Sequence, residues 1–429
     1  MMRDAHLTAD ELQHLCEDGD SDVLRRIFFH HLAVCPECHA VAGFILDAYE
    51  AGDVTLDLCS IDIDLARTRK QAPALWEELQ ARPQQERLAL VKEDERFVSW
   101  GLAEFLAQTS REEAARDPAE AVRIAELAVE VSMLLRDWTP AEDSWLCLLR
   151  GYVWVHLTNA HRAAGDLQAG ARAFAAAEAL WEPAFANTGD VLDYEAQYLS
   201  LKASFLRATR RFKEALKALD EAFSAKHTAS MHLSLFIKKA KTYEEWGDMG
   251  EAIRVLAEAR VLPVSEADAR LRLCLTQNYL DYLSKDGRFL EAKCLLPEVS
   301  AVVDASGGVG DRLRLRWTEA RIAQGLGRIA EAVRLLGEVQ TDLAALKLPY
   351  DAALASLELA LLQSLCGRSG EVKRLAAEAL AYFDAQEIGR EALGAVTLFR
   401  KAVEAEQVTS ELVSQVLACL RRARRGDHL

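Results

Sequence analysis

GDMGEAIRVL (247–256), GRFLEAKCLL (287–296), GRIAEAVRLL (327–336) and GRSGEVKRLA (367–376) are four versions of one phrase, and their leading glycines, Gly247, Gly287, Gly327 and Gly367, fall 40 residues apart. Each phrase holds a glycine suited to the turn between two helices, then a small residue and an apolar run in the second helix. Two upstream segments fit the same phrase: GDLQAGARAF (165–174), and RRFKEALKAL (210–219), which lacks the glycine. RDPAEAVRIA (116–125) reads as a first copy. About seven units result, each a helix, a turn and a second helix. The small residue of each second helix (Ala121, Gly170, Ala215, Ala252, Ala292, Ala332 or Val372) lets the pair approach closely. Neither helix of such a pair can bury its apolar stripe alone, so the units are expected to stack into an α-solenoid.

The rest of the chain agrees with an all-α fold. Of 429 residues only 22 are glycine and 9 proline, and strand-like alternation is nearly absent. The exception is VTLDLCSIDIDL (54–65), whose alternating apolar residues predict an extended strap. Downstream, APALWEELQ (72–80) reads as a short helix. At the other end, EALGAVTLFRKAVEAEQVTSELVSQVLACLRRARR (391–425) lacks the glycine turn and reads as a capping hairpin. Its Arg421, Arg422, Arg424 and Arg425 are placed to complement the negative end of a terminal helix.

Fifty-one Lys and Arg against 67 Asp and Glu give a net charge of −16, which opposes direct binding to nucleic acid and favours basic protein partners. No apolar run reaches the roughly 18 residues of a membrane helix, and the start carries no secretory pattern, so a cytoplasmic location is expected. Nine scattered cysteines make no disulfide framework. Cys147, Cys274, Cys294, Cys366 and Cys419 are expected to be small buried apolar residues. No GxxxxGK[ST], HExxH or GxSxG occurs, and SGGVG (306–310) follows no strand, so no catalytic constellation is proposed.

The repeats resemble the tetratricopeptide repeat. The match is best at Trp154, Leu157, His161, Gly165, Gly170, Phe174 and Ala177, and again at Phe236, Ala240, Tyr243, Gly247, Ala252, Leu256 and Ala259. The period of 40 departs from the family's usual length of about 34. The resemblance implies a groove lined by the first helix of each unit, with Asn159, Arg162, Arg207, Lys241, Gln277, Trp317 and Arg321 at the matched positions. Singly, each of these residues reads as a solvated helix position. Together they form a polar, partly basic lining with one aromatic, suited to a protein or peptide ligand of acidic character.

The chemistry of the first fifty residues is different. HHLAVCPECH (30–39) brings His31 near a helix end, Cys35 to the turn and Cys38 to the first turn of a helix opened by Pro36. That is a three-point half-cage for a tetrahedral ion, and sulfur with imidazole suits Zn2+. The fourth donor is His6, free in an extended segment, with Cys16 as the alternative. A domain of this size made of three short helices has little core, so a metal would supply folding energy. The stretch resembles the zinc-containing anti-sigma domain of bacteria, over about residues 5 to 50. The resemblance implies a domain that sequesters an extracytoplasmic-function sigma factor.

The sequence thus predicts a three-helix zinc domain over 1–51, with ligands His6, His31, Cys35 and Cys38. A linker or strap with a possible fourth helix spans 52–90, and the α-solenoid with its capping hairpin spans 91–429. The expected function is a non-enzymatic bacterial regulator: a sigma factor bound by the first part, a protein or peptide by the second. The alternative is a repeat scaffold whose zinc domain is purely structural or binds another protein.

Overall fold

The structure is a computed structural model that describes residues 59–135, 140–188, 194–262, 269–384 and 409–427. Among the described residues every regular element is helical. The first seven elements are α1 (Cys59–Gln80), α2 (Gln84–Glu93), a 3-10 turn (Glu95–Phe97), α3 (Trp100–Glu113), α4 (Pro118–Leu134), α5 (Pro140–Ala163) and α6 (Leu167–Thr188). Then come α7 (Glu195–Ala208), α8 (Phe212–Ser224), α9 (Ala229–Trp246), α10 (Met249–Arg260), α11 (Ala269–Lys285) and α12 (Phe289–Ser306). The last are α13 (Val309–Gly325), α14 (Ile329–Ala345), α15 (Pro349–Leu365), α16 (Ser369–Asp384) and α17 (Ser410–Asp427). No described helix is long and apolar enough to cross a membrane.

The strap expected over 54–65 is corrected in its second half, because α1 starts at Cys59 and continues through 72–80. The alternation of Ile61, Ile63 and Leu65 is a coincidence of short range. From Leu65 onward the helical spacing Thr68, Ala72, Trp76 and Leu79 takes over, and those four residues are buried.

Contacts divide the described residues into two compact units, one of 59–108, 126–135, 140–153 and 181–188, the other of 109–125, 154–180, 194–262, 269–384 and 409–427. In the first unit, α1 and α3 cross at Gly101. A Cβ there would lie 2.3 Å from the backbone of Thr68 and Arg69, so no other residue fits. Beside the crossing, Arg69 forms a bidentate pair with the buried Glu104, at 2.6 and 2.7 Å.

The second unit holds the repeats. Helices pair in sequence as α7/α8, α9/α10, α11/α12, α13/α14 and α15/α16, and each of the first helices α7, α9 and α11 also touches the first helix of the next hairpin. The small residues do what the phrase predicts: Ala215, Ala252, Ala292 and Ala332 are fully buried at the crossings. Two continuous cores follow, one running through α9 to α13 and one through α13 to α17. The chain is therefore a tetratricopeptide-like array of helical hairpins. Of the C-terminal capping hairpin, α17 packs on α15, with Tyr350 Oη donating to Leu420 O at 2.8 Å. Arg421 does not cap its own helix; it pairs with Glu358 of α15.

Turns close the hairpins by one device with two starts. Gly247 takes the left-handed conformation, and Asp248 N donates back to Tyr243 O at 2.9 Å. Asp248 then caps α10 through Glu251 N at 3.0 Å, as Asp166 caps α6 through Ala169 N at 2.8 Å. Where arginine stands in place of that aspartate it pairs with the glutamate three residues on, as in Arg288 with Glu291 at 2.6 Å and Arg328 with Glu331 at 2.8 Å. The second hairpin of the glycine-less kind turns at Arg210, which adopts the left-handed region at φ 62.

The cysteine expectation is also corrected. Cys294 and Cys366 are exposed, and Cys147, Cys274 and Cys419 are half-buried. Cys294 lies off the stripe of Ala292, Leu295 and Val299 that α12 buries, and Cys366 ends α15.

Two glycines near one turn separate conformation from packing. A Cβ on Gly327 would meet nothing within 4 Å, so Gly327→Ala should cost only its left-handed strain, about 1 kcal/mol. A Cβ on Gly325 would lie 2.4 Å from the Phe289 ring, so Gly325→Ala should cost about 2 kcal/mol or more. Denaturant unfolding of the two variants checks this. Phe289→Leu should recover part of the second loss and none of the first; equal costs would contradict the packing account.

Candidate functional site

Counting back from each turn places equivalent first-helix residues in columns. Three residues before the turn stand Arg162, Arg207, Glu244 and Ser284; six before it stand Asn159, Ser204, Lys241, Asp281 and Arg321; nine before it stand His156, Leu201, Lys238, Asn278, Thr318 and Glu358. Neighbouring first helices bring successive members of a column side by side. The charges on this face therefore answer to one another across a repeat.

From α9 to α15 they answer with opposite signs. Lys285 of α11 bridges Glu244 of α9 at 3.1 Å and its own Asp281 at 2.9 Å. Arg321 of α13 donates to Asp281 at 2.7 Å, and Arg314 donates to Asn278 at 2.6 Å. Burial alone would push Asp281 upward, but Lys285, Arg321 and Arg314 around it hold its carboxyl well below the usual range, so it stays ionised. Further on, Trp317 Nε1 donates to Glu358 at 2.8 Å, and Glu358 also takes Arg421. This half of the face is a closed ladder of ion pairs.

From α5 to α9 the same columns carry mostly one sign. Arg162 of α5, Arg207 of α7, and Lys238 and Lys241 of α9 stand close enough to repel one another, and Arg111 of α3 adds to the field at Lys238. Glu245 partners Arg207 at 3.6 Å, with both side chains buried. No described carboxylate comes within ion-pair reach of Arg162, Lys238 or Lys241. Arg162 Nε and Nη2 instead share Asn159 Oδ1, at 3.2 and 2.9 Å. Lys238 Nζ donates to the Ser200 hydroxyl. Burial, then the repulsion of Arg111, Arg162 and Arg207, pulls Lys238 down to about 7. Burial and Arg207 pull Lys241 to about 7 as well, against the attraction of Glu245 and Glu244. Burial and Arg207 lower Arg162 to about 10.

All seven residues that sequence placed in the groove lie on first helices. Arg162, Arg207 and Lys241, with Asn159, come together in the cationic half. Gln277 is buried and donates to Asp311 O at 2.8 Å, and Trp317 and Arg321 belong to the neutral ladder. Sequence reasoning missed Lys238, one turn before Lys241 on the same helix face, and the acids Glu244, Glu245, Asp281 and Glu358 that decide which cations are satisfied. The column count from the turns would have found Lys238, Glu244, Asp281 and Glu358, though not Glu245, which stands outside the columns. His6, His31, Cys35 and Cys38, and the alternative Cys16, lie outside the described residues.

No protein-family model matches the chain, and no curated protein matches it. Among solved structures, it is similar to a Rap protein complexed with Competence and Sporulation Factor, at 10% identity and TM-score 0.47, over 76% of this chain and 95% of that one. Nearly identical TPR-like repeats from Podosopora anserina, of a protein described as a kinesin light chain, match at 20% identity and TM-score 0.35, over 47% of this chain and 93% of that one. The TPR domain of P58(IPK) matches at 15% identity and TM-score 0.23, over 82% of this chain and 99% of that one. The helix pairs described above, rather than these likenesses, define the architecture.

A lysine held near 7 in the folded chain and near 10.5 in the unfolded one is a stability liability with a definite pH window. Below about 7 both states carry the proton and the folded state bears the whole penalty. Between these values only the unfolded state keeps the proton, so stability rises with pH, and above about 10.5 the penalty is gone. Lys241→Met should therefore raise the unfolding free energy by ~1–2 kcal/mol at pH 6, with the gain shrinking through pH 7 to 10. Urea unfolding across that range measures it; a gain independent of pH would point to packing instead.

Proposed function

We propose that this chain is a cytoplasmic, non-enzymatic regulator that acts by binding other proteins. Its repeat array holds a protein or peptide ligand against the first-helix face. Its first fifty residues form a zinc-dependent arm that sequesters an extracytoplasmic-function sigma factor. The observation that carries the first half is the uneven charge of that face: the array pairs its cations from α9 to α15, whereas among the described residues no carboxylate lies within ion-pair reach of Arg162, Lys238 or Lys241. Desolvated cations cost stability, and proteins keep them where a ligand completes them.

The second half rests on donor chemistry. His31, Cys35 and Cys38 in a His-x3-Cys-x2-Cys spacing, with His6, supply the two thiolates and two imidazoles of a closed structural zinc site, which leaves no open position for catalysis. The net charge of −16 suits a partner whose DNA-binding surface is basic, since opposite fields speed association. Zinc would contribute folding energy to a domain too small to hold itself together.

The test is a capture of partners from native cytoplasm by the full chain, with zinc quantified in the same preparation. Two variants run beside it, His31→Ala/Cys35→Ala and Arg162→Glu/Lys241→Glu, each checked by thermal unfolding of the array. A sigma factor held by the wild type and lost only with the first variant supports the arm. A different protein lost only with the second supports the array face. If the same proteins come down equally with all three, the sigma-factor reading and the charged-face reading both fall, and the chain is a scaffold that binds elsewhere.

A further inference from the structure

We propose that the cationic cluster of Arg162, Arg207, Lys238 and Lys241 is a receptor for one phosphoryl group, presented either by a phosphorylated segment of the bound protein or by a free phosphorylated metabolite. The proposal rests on the reading of the first-helix face as the ligand face and names the chemistry that the face takes.

Where the unmatched charge sits decides between anion classes. An extended acidic peptide carries its carboxylates along its length, about 3.3 Å per residue, and would suit cations spread along the array. This face is not built that way. Beyond Lys241 the columns are already neutralised by Asp281, Glu244 and Glu358. The excess of positive charge is confined to the meeting of α5, α7 and α9, where Arg162, Arg207, Lys238 and Lys241 face Glu244 and Glu245. One carboxylate brings a single negative charge and two acceptor atoms, fewer than the four donor side chains of the cluster can bond. A phosphoryl group brings up to two charges and three acceptor oxygens.

The donors are also held in advance. Asn159 Oδ1 takes Nε and Nη2 of Arg162, which fixes the plane of the guanidinium. Ser200 holds Lys238 by its hydroxyl and, more weakly, by its carbonyl at 3.4 Å. Arg207 Nη1 lies 3.6 Å from Glu245 Oε1, an ion pair without a hydrogen bond, and both that oxygen and Arg207 Nε are buried and make no hydrogen bond. Such an orphaned donor on a charged group costs free energy unless an acceptor arrives. Lys241 has neither a hydrogen-bond nor an ion-pair partner among the described residues, so its ammonium is free to close on an incoming oxygen. Arg162 and Lys238, held in place, with the open donors of Arg207 and Lys241 form a fork suited to phosphate rather than to a carboxylate strand.

The phosphoryl group would also restore protons to the lysines. Its second ionisation lies at about 6 and the lysines lie at about 7, so affinity should peak between pH 6 and 7. Above that it should fall by up to about tenfold per unit for each lysine that must take up a proton.

The experiment titrates the full chain and its Lys238→Met/Lys241→Met variant by calorimetry at pH 6.5 and 8.5. The probes are a degenerate phosphoserine and phosphothreonine peptide library, the same library with glutamate in the phosphorylated position, and ATP with inorganic pyrophosphate. The variant removes desolvated charge, so it should unfold at a higher temperature than the wild type, which separates lost binding from lost fold. The expected result is binding of the phosphopeptides at least about tenfold tighter than their glutamate counterparts, weaker at pH 8.5, and reduced at least about tenfold in the variant. Binding of ATP or pyrophosphate with the same losses, without the phosphopeptides, keeps the receptor and assigns its ligand to a free metabolite. Glutamate peptides bound equally well would overturn the phosphoryl group and leave the protein-binding face standing. So would capture of a partner that needs Arg162 and Lys241 but survives phosphatase treatment of the extract. If no probe binds and no partner depends on the face, both proposals fall together.

Discussion

The array depends on a single close approach. In each hairpin the second helix presents a small residue, and Ala215, Ala252, Ala292 and Ala332 are fully buried against the first helix. A larger side chain there would part the two apolar stripes, each too narrow to be buried by its own helix. Once the crossing is fixed, the turn fixes the phase, and each first helix reaches the next in the same register. Hydrogen bonds across that step join residues one period apart: Lys238 to Ser200, Lys285 to Glu244, Arg321 to Asp281, Trp317 to Glu358. Packing at the small residues thus decides which charges meet.

Those meetings are costly enough to be selective. Taking an ion out of water costs several kcal/mol, and only good geometry with saturated hydrogen bonds repays it. Asp281 shows the repaid case, held ionised by three cations although it is buried. Lys241 shows the other, pulled towards neutrality by burial and by Arg207. Both lie in the same column, one repeat apart, so backbone position cannot explain the difference. It lies in the neighbours, which are acids and bases in alternation on one side and mostly bases on the other, with Glu244 and Glu245 as the opposing acids.

Sequence carried the period, the turns, the crossing residues and the columns, because each is a property of spacing within a few residues or of exact repetition. It failed where the answer lay in a neighbour one repeat away. Gln277 looks like groove lining and is spent on Asp311 O; Trp317 looks like a ligand aromatic and is tied to Glu358. The misreading of 59–65 has a different cause. Over a dozen residues an alternating pattern competed with a helical one, and the buried Ala72, Trp76 and Leu79 further on decided for the helix. Cys294 was misplaced because its residue type is usually buried, whereas its position on α12 is off the stripe.

Two described residues other than glycine take the left-handed region, Lys347 at φ 57 before α15 and Arg210 at φ 62. Every glycine of the main phrase supplies a left-handed turn without strain, but the hairpin of α7 and α8 turns at Arg210, also left-handed, at φ 62. A side chain in that conformation costs about 1 kcal/mol or more. Here it is steadied by its stack over Phe212 at 5.3 Å, which in turn stacks on Trp246. Arg207 lies three residues upstream, its carbonyl accepting from Arg210 N at 2.9 Å. Backbone strain, a buried arginine with an idle Nε, and two lysines held near neutrality therefore meet where α7 joins α9. Each is tolerable alone, and a chain selected only for stability has simple remedies for all of them: glycine at 210, methionine at 241. Local rules broken together at one point mark a place kept for binding rather than for folding.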